Sequence, residues 1–319
     1  MSISVFRKFT MAFFTLLAAL MLESTWHAPR ADQLIILFDR YADRLAHDLN
    51  AGKAVHGVVG WLAAVCPWVF LSLVVFYALD VVSPVLSWIW TVALLYASLG
   101  FRSVVHGVRT IFESLRAGQL DEARASLSRW SGGTDLSSYA EPEIAKTTIE
   151  TALTRVHRQV FGVIFWFVVL PGPAGAVLYR LAEETERLWA HGREEESRAF
   201  GTFAAKAFHT LDWLPVRLSA IGFAVAGNFE DAISTWRMQA QSWIDRTQGI
   251  VLASGAGALG VRLGGPLPAS NGIDFRPELG DGGIADADYL QSTLSLLWRA
   301  LIVWLVLLLL LTLARWVGY

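Results

Sequence analysis

A glycine-rich stretch, SGAGALGVRLGGP at residues 254–266, is the first place where residue spacing suggests chemistry. Its first three glycines follow the G-x-G-x-x-G pattern, with which a strand-to-helix turn binds a dinucleotide pyrophosphate. That fold also needs a strand before the glycines, a long helix after them and an acid about 20 residues further on. Here the sequence GGP would end the helix after about one turn. The sequence therefore argues against dinucleotide binding.

The same stretch allows two other interpretations. Arg262 is its one cation, and a glycine-rich bend can expose backbone N–H groups, so the segment could bind an anion. Alternatively, the glycines permit close helix packing, and Arg262 caps carbonyl groups. The glycines that belong to this candidate site are Gly257, Gly260, Gly264 and Gly265.

Other candidate residues are ionisable groups beside apolar segments, where a charge is costly unless it is paired or faces a cavity. Asp212 and Arg217 lie in LDWLPVRL and are ligand-site candidates for that reason. Arg155, His157 and Arg158 form a basic group next to another apolar segment. This group either binds an anion, such as a phospholipid or a phosphorylated metabolite, or extends its side chains to the membrane interface.

Familiar catalytic motifs are missing from the sequence, which has no G-x-S-x-G elbow, P-loop or H-E-x-x-H pair. A single cysteine, Cys66, rules out a disulfide framework and a cysteine zinc site within one chain. Because the histidines also lack partners at metal-ligand spacing, we predict no metal site and no bound cofactor.

Composition indicates a membrane protein. The chain has 54% hydrophobic residues, 17% charged residues and 14 tryptophans in 319 residues, and its mean hydropathy is +0.45. This is more apolar surface than a soluble domain of that size normally buries, so a lipid bilayer is the expected partner. A net charge of −2 gives no basic surface for nucleic acid.

Apolar segments long enough to cross a bilayer occur at 58–79, 84–101, 160–178 and 296–313. Segment 11–22 is shorter, and we interpret it as a short or tilted helix rather than a signal peptide. Segment 211–226 could span the membrane, re-enter it or lie at its interface. We therefore predict an all-α, polytopic membrane protein of one domain, residues 1–319, with about five or six transmembrane helices.

The connections between these segments are also patterned. Residues 102–159 place apolar residues at helical spacing on both sides of a break at Gly118, which predicts a helical hairpin. The mixed charges of 182–200 predict a solvated helix pair, and 267–290 reads as a flexible loop. With six spans, Lys and Arg number 17 on one side and 8 on the other, which predicts cytoplasmic connections and periplasmic termini.

The order of several sequence blocks is recognisable. LRAGQLDEARASLSRWSGGTDL, FGVIFWFVVLPGPAGAVLYR, LPVRL and GALGVRLGGP follow one another along nearly the whole chain. In this respect the sequence resembles the CobD/CbiB superfamily. The resemblance implies a bacterial inner-membrane protein, and enzymes of this family join an aminopropanol phosphate to cobyric acid with ATP during cobalamin synthesis. The superfamily also includes AmpE, a protein linked to β-lactamase induction, which residues 209–236 resemble closely.

The chain departs from the synthase pattern at several acidic positions. The family motif E-S-x-A-E-N-x-x-D-G keeps its first acid as Glu150, but its second acid, Asn and Asp fall on Thr154, Arg155 and Arg158. Guanidinium groups reverse the field that a magnesium–nucleotide site requires. Asp135, in GGTDL, matches the Asp of a family turn, where it either caps the turn or contacts a ligand.

The leading hypothesis is therefore an AmpE-like protein that binds a polar or phosphorylated ligand, or a membrane partner, without synthase activity. The alternative is an adenosylcobinamide-phosphate synthase that uses ATP and magnesium. It would have a rearranged site built on Asp135, Glu150, Asp212 and Arg262. A third hypothesis is a structural protein whose tryptophan-rich faces pack against another membrane protein.

Overall fold

The computed structural model of the chain describes residues 2–25, 29–50, 54–133, 135–190, 195–269 and 272–317. These residues are predominantly helical, which confirms the all-α class. The α-helices are α1 Ser2–Thr25, α2 Pro29–Leu49, α3 Ala54–Val82, α4 Pro84–Ser98, α5 Phe101–Arg116, α6 Leu120–Trp130, α7 Glu141–Val156, α8 Gly162–Val169, α9 Ala174–Trp189, α10 Glu195–Ala226, α11 Phe229–Gln239, α12 Arg246–Leu259 and α13 Ala287–Val317. A π-helix, His157–Phe161, joins α7 to α8, and a 3-10 turn, Ala240–Ser242, follows α11.

The chain forms two compact units. Unit 1 consists of Met1–Gly100, Arg158–Trp213 and Leu308–Tyr319, and unit 2 consists of Phe101–His157 and Leu214–Leu307. Large apolar side chains fill the interior of each unit. Fully buried examples are Leu16, Leu95, Tyr179 and Phe208 in unit 1, and Ile111, Leu127, Ile144 and Phe223 in unit 2.

Candidate membrane spans are present among the described residues. Four helical stretches are long and apolar enough to cross a bilayer: Val55–Val82, Pro84–Arg116, Glu141–Val169 and Ala287–Ala314. A fifth apolar helix, Met11–Thr25, is shorter. The predicted membrane class is therefore confirmed, whereas segment 211–226 lies inside α10 and is not one of these spans. The predicted orientation stays a prediction.

The third predicted span, 160–178, was placed wrongly. Helix α8 ends at Val169, and the chain turns at Gly172, whose φ of +55° is left-handed, before α9 begins at Ala174. The sequence PGP explains the break, because proline lacks the N–H that a continuing helix needs. The apolar stretch instead lies before the break, at Glu141–Val169.

Residues 101–157 form the helices that their periodicity predicts. Helix α5 ends at Arg116, Gly118 turns the chain with a φ of +70°, and α6 begins at Leu120. Helix α7 begins at Glu141 with acidic residues in its first turn, and the Glu143 carboxylate accepts a hydrogen bond of 3.0 Å from the Ala140 N–H. Carboxylates stabilise this end of a helix because its first N–H groups lack partners.

The segment that we predicted as a loop contains short strands. In one sheet, β1 Val261–Gly264 pairs antiparallel with β4 Glu278–Leu279 and parallel with β5 Gly283–Ile284. In a second sheet, β2 Leu267–Ala269 pairs antiparallel with β3 Gly272–Asp274. Strands of two to four residues are too short to produce a recognisable alternation, so periodicity could not reveal them.

Helices α8 and α9 pack closely because Gly175 has no side chain. A Cβ atom at this position would lie 1.9 Å from the Trp166 carbonyl oxygen, which is backbone and cannot move aside. Gly222 on α10 provides a comparison, since its Cβ would lie 3.2 Å from the indole nitrogen of Trp304, which is a side-chain atom.

We therefore expect Gly175→Ala to lower the apparent Tm of the purified protein in detergent by several degrees, because the two helices would have to separate. Gly222→Ala is the control, and it should lower the Tm much less. Equal Tm values for the two variants would contradict this account of the α8–α9 contact.

Candidate functional site

Glu150 lies at the centre of a polar cluster in unit 2. Its carboxylate is 7% exposed and forms a bidentate ion pair with Arg276, in which Nη1 is 2.8 Å from Oε2 and Nη2 is 3.2 Å from Oε1. The backbone N–H of Gly264 donates a third hydrogen bond, of 2.7 Å, to Oε1. Three charge-assisted donors therefore hold one buried carboxylate in place.

Arg276 and a lysine connect this carboxylate to the glycine-rich turn. The Nε of Arg276 donates to the Gly265 carbonyl oxygen at 3.3 Å, and its guanidinium group lies 5.4 Å from the centre of the Trp243 ring. Lys146, one helical turn before Glu150, donates from Nζ to the Pro266 carbonyl oxygen at 3.3 Å. We refer to Lys146, Glu150, Trp243, Arg276 and the turn 264–266 as the Glu150 site.

Sequence reasoning found only part of the Glu150 site. It selected Glu150, Gly264 and Gly265, and the structure brings these three residues together. It missed Arg276, which lies 126 residues from Glu150 in the chain and belongs to the segment that we predicted as a loop. The spacing of Lys146 and Glu150, four residues apart on a predicted helix, was the available signal for the lysine.

The glycine pattern has the wrong topology for a dinucleotide site, as the sequence predicts. Its first two glycines lie inside α12, Gly260 ends that helix with a φ of +63°, and strand β1 follows. A dinucleotide-binding turn instead leads from a strand into a helix.

The N–H groups of this glycine segment already have acceptors. Gly260 donates to the end of α12, Gly264 donates to Glu150, and Gly265 donates to the Pro277 carbonyl oxygen. A Cβ atom at Gly264 would lie 2.0 Å from that same Pro277 oxygen, and one at Gly257 would lie 2.4 Å from a backbone oxygen of Asp231. This geometry favours the packing interpretation of the glycines.

The other unit 2 candidates bond to separate partners. Arg262 is exposed, and its Nη2 lies 3.4 Å from the Gly282 carbonyl oxygen, which is a capping contact. Asp135 accepts the Ser137 N–H at 3.0 Å, forming an Asx turn, and this hydrogen bond lowers the pKa of its exposed carboxyl. Arg217 is half-buried in α10.

The basic group at 155–158 is divided among different contacts. Arg155 donates from Nη2 to the Trp130 carbonyl oxygen and lies 5.3 Å from the centre of the Trp130 ring. His157 is buried, with Nδ1 2.9 Å from the Ser219 hydroxyl oxygen. Arg158 belongs to unit 1, where its Nη1 is 3.1 Å from Oε2 of Glu186.

Unit 1 contains a second polar region, along α9. Arg180 pairs with Glu183 and, at 2.8 Å, with Glu184. Arg187 joins the other oxygen of Glu184, at 2.6 Å, to Asp39 of α2, at 2.9 Å. We refer to these residues, together with the Arg158–Glu186 pair, as the α9 charge cluster.

The prediction that 182–200 is a solvated helix pair is wrong for the α9 part. Glu183, Glu184 and Glu186 are buried, and burial raises the pKa of the Glu183 carboxyl although the Arg180 charge lowers it. The mixed charges suggested a solvent-exposed helix. The arginines that neutralise these acids are partly on the same helix, so a buried ion-pair cluster and an exposed charged surface have the same sequence pattern. Residues 191–194 of that prediction lie outside the described residues.

Asp212 is also fully buried in unit 1. It accepts a hydrogen bond of 2.7 Å from the Tyr179 hydroxyl, and burial, together with the Asp212 charge, raises the pKa of Tyr179 well above its usual value. Asp212 and Arg217 were selected as neighbouring candidates, but they belong to different units, and so do Asp212 and Glu150.

Comparison with known proteins identifies the family. The family model described as CobD/Cbib protein matches residues 16–297. The chain belongs to the CobD/CbiB family. The cobalamin biosynthesis protein CobD of Stutzerimonas stutzeri (strain A1501) is 34% identical over 301 residues, which cover 93% of this chain and 97% of that protein.

Further CobD/CbiB relatives align over shorter stretches. The cobalamin biosynthesis protein CobD of Chromobacterium violaceum is 36% identical over 221 residues, covering 69% of this chain and 70% of that protein. The cobalamin biosynthesis protein CbiB of Salmonella typhimurium is 27% identical over 226 residues, with the same coverage. No solved structure matches this chain. The predicted superfamily is thus confirmed, whereas the AmpE-like branch stays a prediction.

The Arg158–Glu186 pair yields a test of the α9 charge cluster. We expect Arg158→Met to destabilise the protein by about 3–5 kcal/mol, because it leaves Glu186 buried without its cation. Adding Glu186→Gln should restore part of that stability. Equilibrium unfolding in detergent micelles measures both values.

The control for this test is Arg109→Met. Arg109 pairs with Glu113 at 3.9 Å, and both side chains are 67% exposed, so its loss should not change stability measurably. If Arg158→Met were as harmless as Arg109→Met, the buried pair would not contribute as described.

Proposed function

We propose that this protein acts in cobalamin biosynthesis as an adenosylcobinamide-phosphate synthase located in the bacterial inner membrane. The reaction would join the amine of an aminopropanol phosphate to the cobyric acid side chain through an amide bond, with ATP. This was the alternative hypothesis from the sequence. The comparisons favour it over the leading hypothesis of an AmpE-like protein without synthase activity, which they do not support.

The observation that carries the proposal is the length of the match to the Stutzerimonas stutzeri relative. At 34% identity, 97% of that protein aligns with 93% of this chain. A shared scaffold alone does not determine an activity. The names of relatives from several organisms, however, all refer to cobalamin biosynthesis.

The altered acidic positions no longer argue strongly against activity. Arg158 occupies the position of a family acid, but the Glu186 carboxylate pairs with it at 3.1 Å, so its positive charge is compensated there. The first acid of the motif, Glu150, is retained and held by three donors. The field at these positions is therefore not simply reversed, as counting residues along one helix suggested.

ATP would supply the free energy for amide formation by activating a carboxylate of the substrate. Magnesium fits the described residues poorly, because both oxygens of Glu150 already accept hydrogen bonds from Arg276 or Gly264. Among the described residues, no group of three or more His, Cys, Asp or Glu side chains could hold a metal ion. We assign no magnesium ligands and no step through the metal.

The role that we propose for the Glu150 site is substrate binding. The substrates of this reaction carry phosphate, carboxylate and amine groups, and the site presents Lys146, Arg276 and Glu150 as complementary charges. Asp135 is exposed on the same unit and stays a candidate for a ligand contact, whereas Arg262 caps the Gly282 carbonyl oxygen and is given no binding role.

Genetic complementation tests the proposed function. We expect this chain to restore cobalamin-dependent growth to a bacterial strain that lacks its own synthase and is supplied with the corrinoid precursor. Membrane insertion and protein amount are checked on immunoblots. If the inserted protein does not support growth, the synthase proposal is rejected, and a binding role without catalysis becomes the better hypothesis.

Within that assay, we expect Glu150→Gln to lower synthase activity about tenfold or more, because it removes the charge that orients Arg276. Activity is measured in membranes as formation of the amide product. Glu122→Gln, which changes an exposed acid of α6 in the same unit, is the matched control and should leave activity unchanged. Full activity of Glu150→Gln would exclude Glu150 from the site.

A further inference from the structure

Two cations of the Glu150 site hold consecutive carbonyl groups of one turn. Lys146 Nζ lies 3.3 Å from the Pro266 oxygen, and Arg276 Nε lies 3.3 Å from the Gly265 oxygen. We propose that Lys146 and Arg276, together on the turn 264–266, form a binding site for a phosphate group. The identity of the natural ligand rests on the proposed function, but phosphate binding itself can be tested independently.

The fold brings these two cations to the same turn from different elements. Lys146 comes from α7, whereas Arg276 comes from the segment between β3 and β4. Each of the two cations donates to one of two consecutive carbonyl groups, which brings both of them to the same turn. Glu150 neutralises one positive charge and lets the second remain without strong repulsion.

Both cations keep hydrogen-bond donors for a ligand. An ammonium group has three N–H donors, and a guanidinium group has five. Among the described residues, Lys146 uses one donor for Pro266, and Arg276 uses one for Gly265 and two for Glu150. About four donors remain at two half-buried cations, and phosphate offers several acceptor oxygens to such a set.

The residues around Lys146 and Arg276 are compatible with an anion bound to the solvent-exposed side of the two cations. Trp243 lies against the guanidinium group of Arg276 and fixes its orientation. Glu150 is 7% exposed, whereas Lys146 and Arg276 are half-buried, so the two cations are more accessible to a ligand than the carboxylate is. Glu278, which lies beside Gly265, is exposed, and water therefore screens its charge.

Arg262 belongs to the same segment and provides a matched comparison. It is an exposed cation of strand β1 that donates to the Gly282 carbonyl oxygen at 3.4 Å. A general attraction of phosphate to positive charge would involve Arg262 as much as Lys146. A specific site formed by Lys146 and Arg276 would not involve Arg262.

The test is equilibrium binding of inorganic phosphate to the full-length protein in detergent, measured by thermal shift against chloride at equal ionic strength. We expect phosphate to raise the Tm of the wild-type protein. Lys146→Gln and Arg276→Gln should each weaken the apparent affinity about tenfold, while Lys146→Arg retains binding. Arg262→Gln should bind phosphate like the wild type.

Competition identifies the source of the phosphate group. Displacement of inorganic phosphate by ATP, but not by phosphatidylglycerol in mixed micelles, indicates a soluble phosphorylated ligand. The opposite result indicates a lipid headgroup at the same site. Either result supports the site as described.

Two results would overturn the inference. One is wild-type phosphate affinity in Lys146→Gln, which disturbs folding less than a change at Arg276 because Lys146 makes a single contact to the turn. The other is an equal loss of affinity in Arg262→Gln. Complementation distinguishes these outcomes from failure of the proposed function, because an active synthase with unchanged phosphate affinity in Lys146→Gln would reject only this site.

Discussion

Burying a carboxylate away from water costs several kcal/mol unless a cation and hydrogen-bond donors compensate for the lost hydration. Both units of this protein contain such carboxylates. In unit 2, Arg276 and the Gly264 N–H compensate Glu150. In unit 1, arginines compensate the three buried glutamates of α9. The positions of α7, the glycine segment and α9 within their own units depend on satisfying these charges.

The helical part of this fold could be predicted from sequence because its determinants are local. Hydrophobic periodicity, the turn at Gly118 and the length of apolar runs each act within about 20 residues, and the corresponding helices are present. The third span was misplaced for a local reason too, since the PGP sequence after Leu170 breaks the helix although apolar residues lie on both sides of it. The candidate site differs, because Glu150 and Arg276 meet only after folding.

The charges along one helix do not by themselves determine the local charge balance, because residues from other helices contribute to it. Arg158 looks like the loss of an acid when α7 and its continuation are considered alone, yet Glu186 of α9 faces it. Electrostatic potential depends on distance in space and not on sequence position. A carboxylate supplied by a neighbouring helix can therefore maintain a local charge balance that no single motif records.

Gly264 has a consequence for how sequences of this family can diverge. A side chain there would collide with the Pro277 carbonyl oxygen, and the same residue gives its N–H to Glu150. The absence of a side chain at one position thus helps the fold to tolerate an acid at another, 114 residues earlier. Covariation should follow: lineages that replace this glycine should also lose the acid, whereas lineages that keep the acid have no freedom at the glycine.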